Sequence, residues 1–201
     1  MKESEAKSSL SENGGITSAL FTDFYELTMA QGYWKEKMNR PVVFDMFFRR
    51  QPWAGGFSVL AGNETLLNVL TSFRFEEADI AYLAEQKIFD KGFLDYLKDF
   101  SFGGDVYMMD EGSVIFPQEP LIRIHANLIE AQIVEGLILN YVNFQSLIAT
   151  KTSRVWLASN KGSLMEFGLR RAQGPDGAMS ASRAAYIGGA AGTSNTLAGK
   201  R

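Results

Sequence analysis

Cysteine is absent from the 201 residues, which excludes a disulfide scaffold, a thiolate nucleophile and any cysteine-based metal centre. Histidine occurs once, as His125, so paired-histidine mechanisms and most histidine-ligated metal sites are excluded too. An excess of one charge is also missing. Twenty Lys+Arg stand against 23 Asp+Glu, a formal net charge of -3, with no run of like charges. That balance disfavours a nucleic-acid or anionic-membrane surface. There is no long hydrophobic run either. The most apolar stretch, 128–149, is interrupted by Glu130, Gln132, Glu135, Asn140, Asn143 and Gln145, too many polar groups for about 20 residues in hydrocarbon. Residues 1–15, M-K-E-S-E-A-K-S-S-L-S-E-N-G-G, lack the apolar core of a secretory signal and read as a disordered lead. The expectation is a soluble, cytoplasmic protein.

What is present is the composition of an ordinary globular chain, 46% hydrophobic and 21% charged. Its length suits one to one and a half domains, able to bury roughly 70% of the unfolded surface without a metal or disulfide staple. Thr22 or Asp23 can cap a helix running to about Trp34, and Asp23 and Glu26 have capping-box spacing. The apolar run 42–48 reads as a strand compatible with burial on both faces, 49–56 as a loop and 57–60 as a second strand. Helical patterns follow at 63–73, 76–86 and 90–100, then strands at 106–109, 113–116 and 121–126. The helical run 128–158 carries a stripe of Leu128, Ala131, Leu137, Tyr141, Phe144 and Ile148. It is long enough for two helices meeting near Gln145 or Thr150. Phe73, Leu137, Tyr141, Phe144 and Ile148 are expected to be buried.

Residues 164–167 read as a strand, 168–177 as a polar loop, and 178–186 as a helix that Asp176 can cap; a glycine-rich turn follows at 188–192. An antiparallel or mixed sheet with helical covers therefore comes first. A strand-loop-helix alternation opens only near residue 163, like the start of a larger α/β domain that has been cut off. The expected division is a lead at 1–15, an α+β domain at 16–127, and at 128–201 a helical connection with the first strand-loop-helix units. Apolar surface is expected to be exposed on residues 155–201.

Three places could carry chemistry. In Glu166-Phe167-Gly168-Leu169-Arg170-Arg171-Ala172-Gln173-Gly174-Pro175-Asp176-Gly177, paired arginines lie beyond a strand end, where α/β proteins place ligands. A guanidinium fork suits a phosphate or a carboxylate, and a solvated surface loop is the competing reading. Gly188-Gly189-Ala190-Ala191-Gly192-Thr193-Ser194-Asn195 can bring bare backbone N–H groups to an anion, or simply make a tight turn. Asp23-Phe24-Tyr25 is a candidate that equally suits an ordinary helix start. His125 has no ligand partner at metal spacing and reads as a packed or hydrogen-bonded histidine.

Taken together these places resemble the nicotinate phosphoribosyltransferase family. The resemblance runs through T-D-F-Y-E-L-T-M-A-Q-G-Y (from Thr22), F-x-x-F-F-R-R (from Phe44), E-G-S-V-I-F-P-Q-E-P (from Glu111), N-F-Q-S-L-I-A-T-K (from Asn143), E-F-G-L-R-R-A-Q-G-P-D-G (from Glu166) and G-T-S-N-T-L-A-G-K (from Gly192). It implies an α+β N-terminal domain followed by the start of an irregular α/β barrel, here truncated. The implied reaction joins nicotinate to 5-phosphoribosyl 1-pyrophosphate in NAD salvage, with Mg2+ required and ATP as co-substrate.

By the same resemblance Phe167 stacks on the pyridine ring. Arg170 meets substrate carboxylate or ribose phosphate, with Arg171 a weaker candidate and Thr193 beside Ser194. Tyr25, with Asp23, reaches the pyridine of a neighbouring subunit, which implies a homodimer with shared sites. Ser194 stands where the related nicotinamide enzymes carry aspartate, and a neutral group there favours the acid over the amide. The family's usual G-G-F-D-G-T-S-N is here altered at Ala190 and Ala191, and its later G-T-x-A-H-S motif does not occur in these 201 residues. The expectation is a catalytically incomplete N-terminal portion; the alternative is a non-catalytic fragment acting as a dimerisation or interaction module.

Overall fold

The computed structural model describes residues 18–201, so the expected lead at 1–15 lies outside the described residues. In chain order the elements are α1 (Phe24–Lys35), β1 (Pro41–Met46), β2 (Ser58–Val59), α2 (Asn63–Leu70), α3 (Glu77–Glu85), α4 (Lys91–Lys98), β3 (Asp105–Met108), β4 (Val114–Ile115), β5 (Ile122–Asn127), α5 (Leu128–Ala158), β6 (Met165–Glu166), α6 (Gly174–Ile187), β7 (Gly192–Thr193) and α7 (Thr196–Lys200). A three-stranded sheet has the order β1-β5-β3. β2 pairs antiparallel with β4, and β6 pairs parallel with β7. Helices and small sheets thus combine in an α+β chain.

The described chain forms two compact units, each assembled from separated stretches. One comprises residues up to Val42, Leu67–Asp105 and His125–Leu137; the other Val43–Leu66, Val106–Ile124 and Ile138–Arg201. The division is interleaved, unlike the sequential one at 127/128.

The first unit is built on α1, α3, α4 and the opening of α5. An aromatic series runs through it: Phe24 meets Phe89 edge-on at 5.5 Å, Phe89 lies 6.0 Å from Phe93, and Phe93 lies 6.0 Å from Trp34. Phe73, Phe93, Leu97, Ile129, Ile133 and Leu137 are fully buried. The expected capping box at Asp23 and Glu26 does not form. Asp23 has N-cap backbone angles but its side chain makes no cap bond, and Glu26 is buried, accepting a hydrogen bond from Gln132 on α5. A capping box closes instead at α3, between Glu76 and Asp79.

In the second unit α5, α6 and β2 enclose Val59, Ala61, Ala149 and Ala184, with Phe57, Ile148 and Ile187 against them. Three expectations are corrected here. First, α5 is one helix of 31 residues and not two. Its polar residues at the supposed break, Ser146 and Thr150, are buried and hydrogen-bonded to β2 and the residues after it. Thr150 Oγ1 accepts from the Val59 N–H at 2.9 Å and Ser146 Oγ accepts from the Ala61 N–H at 3.0 Å.

Second, Phe73 and Leu137 are buried as expected, whereas Tyr141, Phe144 and Ile148 are half-buried, because the fully buried face carries Val142, Gln145, Ser146 and Ala149. Third, β1 alternates in exposure, and Val43 is 55% exposed, so it is not covered on both faces.

Candidate functional site

β6 ends at Glu166, and the chain turns through a 3₁₀ segment, Leu169–Arg171, before α6. The segment expected to be a loop through residue 177 is therefore already helical from Gly174. Asp176 sits in the first turn of α6 instead of capping it, with Gln173 at the N-cap position. Pro175 stands at the start of α6, where its missing N–H leaves no intrahelical bond unmade. After α6 the chain returns as β7, parallel to β6, with Met165 opposite Gly192 and Glu166 opposite Thr193. The strand-loop-helix alternation thus proceeds to a second strand within the chain.

This pairing brings two of the three candidate places together. The 167–171 turn leaves the end of β6, and Thr193 and Ser194 leave the end of the adjacent β7. Phe167 is 65% exposed, and Arg170, Arg171 and Ser194 are also exposed, so their side chains are available to a ligand. The Arg171 N–H donates to the Gly168 carbonyl at 2.8 Å, closing the turn. Asn195, buried, caps α7 by accepting from the Ala198 N–H at 3.3 Å.

Glu166, which belongs to the motif but not to the site residues the sequence pointed to, joins these pieces. Its carboxylate accepts from Thr193 Oγ1 at 2.6 Å, from Ser182 Oγ of α6 at 3.0 Å and from the Gly168 N–H. Its backbone carbonyl accepts from the Ser194 N–H at 2.9 Å. Burial alone would raise the Glu166 pKa, but the hydrogen bonds from Thr193, Gly168 and Ser182 outweigh it and hold the group below the ordinary glutamate value.

A second polar cluster lies in the same unit. Arg183 of α6 makes a bidentate pair with Glu111, at 2.9 and 2.7 Å, and also contacts Glu64. Glu111 additionally accepts from the Asn63 N–H at 3.0 Å and from the Gly62 N–H, at the start of α2. Burial opposes ionisation of Glu111. Arg183 and these two N–H groups reverse that effect, so its pKa lies below the ordinary value.

Asp23 and Tyr25 belong to the other compact unit. Tyr25 is 52% exposed, and its pKa is pushed up to about 12, first by hydrogen bonding to Glu26 and then by the charge of Glu26, with smaller contributions from burial, Glu135 and Asp23. Glu135 is raised by burial first, then by the carboxylates of Glu26 and Asp23. Tyr25 therefore stays a neutral phenol throughout the physiological range. His125 lies inside β5, on its exposed face. No group of three or more His, Cys, Asp or Glu residues among the described residues could hold a metal ion, and no helix among them is long and apolar enough to cross a membrane.

The nicotinate phosphoribosyltransferase N-terminal domain matches residues 20–143. A nicotinate phosphoribosyltransferase of Mycobacterium tuberculosis is 45% identical over 183 residues, which is 91% of this chain and 40% of that protein. The corresponding protein of Dictyostelium discoideum is 44% identical over 201 residues, 98% of this chain and 34% of the relative. Among solved structures, human nicotinic acid phosphoribosyltransferase superposes with a TM-score of 0.82 at 38% identity, covering 89% of this chain and 37% of that one. The chain thus spans about a third to two fifths of the length of the relatives it matches.

Proposed function

Because the chain belongs to the nicotinate phosphoribosyltransferase family, we propose that it forms part of the site that joins nicotinate to 5-phosphoribosyl 1-pyrophosphate. The observation that carries this reading is the parallel pairing of β6 and β7, which sets the Phe167-to-Arg171 turn beside Thr193 and Ser194. In this reading the exposed Phe167 ring offers its face to the pyridine. Arg170 offers a planar donor fork to the nicotinate carboxylate or the ribose phosphate, with Arg171 close by as a second cation. Ser194 presents a neutral hydroxyl where a carboxylate would repel nicotinate.

Chemistry of this kind proceeds through an oxocarbenium-like state, in which pyridine nitrogen replaces pyrophosphate at the anomeric carbon. It depends on alignment and charge stabilisation and needs no protein nucleophile. That suits a chain without cysteine. Mg2+ and ATP are further proposed participants. The described residues do not group into a metal site, and Mg2+ would enter as the counter-ion of pyrophosphate. We also take β6, α6 and β7 as the opening unit of an irregular α/β barrel, Tyr25 and Asp23 as the contribution of a second subunit in a homodimer, and the cytoplasm as the site of action.

The test is nicotinate binding by the 201-residue chain, followed by calorimetry or by amide shifts. Arg170→Ala removes a charge-assisted contact and is expected to weaken binding roughly ten- to hundredfold, with a smaller loss for Arg171→Ala. Binding by Arg170→Ala equal to that of the parent would overturn the assignment of this turn.

A further inference from the structure

We propose that Glu166 is a positioning residue that fixes both walls of the nicotinate site at once, an inference that rests on the functional reading above. Three independent pieces of backbone converge on this one side chain. The Gly168 N–H lies in the turn that carries Phe167 and Arg170, Thr193 lies at the end of β7 beside Ser194, and Ser182 lies on the buried face of α6. The main chain of the same residue holds the Ser194 N–H at 2.9 Å. The exposed residues assigned to substrate are therefore attached to a group that need not touch substrate itself.

The two carboxylate oxygens are used differently. Oε1 serves the Gly168 N–H, and Oε2 serves Thr193 and Ser182. A backbone N–H can only donate, so Oε1 must remain an acceptor. The two hydroxyls can accept as well as donate, and Ser182 Oγ has the Ala178 carbonyl at 3.0 Å as an alternative acceptor. Glutamine at 166 can thus keep its Oε1 toward Gly168 and turn its NH2 toward the hydroxyls. Aspartate retains the charge but is one methylene too short to span the same three donors. A role in geometry consequently ranks Glu166→Gln as mild and Glu166→Asp as severe, whereas a role for the negative charge itself ranks them the other way.

The experiment uses the uniformly labelled 201-residue chain and nicotinate alone as probe. In the parent, the Gly168 amide resonance should lie downfield through its bond to a carboxylate, and should move as pH falls through the Glu166 titration. Nicotinate should perturb the amides of residues 167–171 and 193–194. Glu166→Asp is expected to bind nicotinate roughly tenfold or more weakly, with Glu166→Gln within about threefold of the parent. Thr193→Val, which severs one strand of the lock without touching Glu166, should fall between them, and it keeps the test decisive should Glu166→Asp not fold. Equal binding by Glu166→Asp and parent, or loss in Glu166→Gln with retention in Glu166→Asp, would overturn the positioning role while leaving the proposed site intact. A parent chain whose 167–171 and 193–194 amides ignore nicotinate would overturn the site itself, and the role of Glu166 with it.

Discussion

Arg183 shows how much of the second unit depends on single side chains. Its guanidinium serves Glu111 and Glu64, and with Glu111 also holding the Asn63 and Gly62 N–H groups, α6 is tied to the start of α2 through one carboxylate. Arg183→Ala would leave that carboxylate, whose side chain is only 18% exposed, without its counter-ion. The expected cost is about 2–3 kcal/mol in urea unfolding. The acid side follows from the same pair. Glu111 has its folded pKa depressed, so its stabilisation is present above the ordinary glutamate value and lost as pH falls through the folded one. Glu135 has the opposite sign: its folded pKa is raised, so stability declines as pH rises through that value. Glu135→Gln should therefore raise the melting temperature at pH 7, by less than about 1 kcal/mol of stability given its partial exposure, and have no benefit at pH 4. A loss of stability at pH 7 would contradict this. Arg170 and Arg171 stood out in the sequence because they are adjacent. Arg183 did not, because its partner lies 72 positions away and no local spacing announces it.

Among the elements, α5 illustrates why periodicity reads helices well and their faces less well. The helical run 128–158 reads as long enough for two helices meeting near Gln145 or Thr150, yet it forms one helix of 31 residues. Ser146 and Thr150 are buried there because a strand's edge groups need partners: the β2 region uses them as it would use another strand. The buried face accordingly rotates away from Tyr141 and Phe144. Capping signals misled for a related reason. Asp23 and Glu26 have the correct spacing, but tertiary pairing with Gln132 claims Glu26, while Glu76 and Asp79 close the box even though Arg74 pairs with Glu76 and Ser18 donates to Asp79. The packing of α6 on α5 depends on Gly188, where an added Cβ would lie 2.4 Å from the Ala149 carbonyl oxygen and 2.9 Å from Thr152 Cβ. Neither neighbour is the free end of a flexible side chain. Gly188→Ala is expected to cost about 1–3 kcal/mol, read as a lower urea midpoint at unchanged slope. An unchanged midpoint would show that α6 can shift without loss.

At the scale of the whole chain, the region that carries the proposed site leaves several large apolar side chains uncovered. Val155, Leu157, Met165, Phe167, Leu169, Tyr186 and Leu197 are each between 45% and 71% exposed, as expected of residues 155–201. Scattered exposed apolar residues are ordinary on soluble proteins. Here, however, Met165 lies on β6 itself and Phe167 and Leu169 follow directly after it, where a two-stranded parallel sheet has little of its own to lie against. The 201-residue chain is therefore predicted to bind an environment-sensitive apolar dye in its folded state, with the cooperative unfolding that distinguishes it from a molten globule retained. The contribution of this region is separable. A triple variant, Leu157→Ser, Met165→Ser and Leu197→Ser, alters only side chains that are about half exposed, so it should lower folded-state dye fluorescence severalfold while shifting the urea midpoint little. Nicotinate added to the parent should displace dye through Phe167 but leave the remainder of the signal, since the other six residues are not assigned to substrate. A folded parent chain that gives no dye signal would refute the exposed apolar surface. A signal unchanged in the triple variant would place that surface on another part of the molecule.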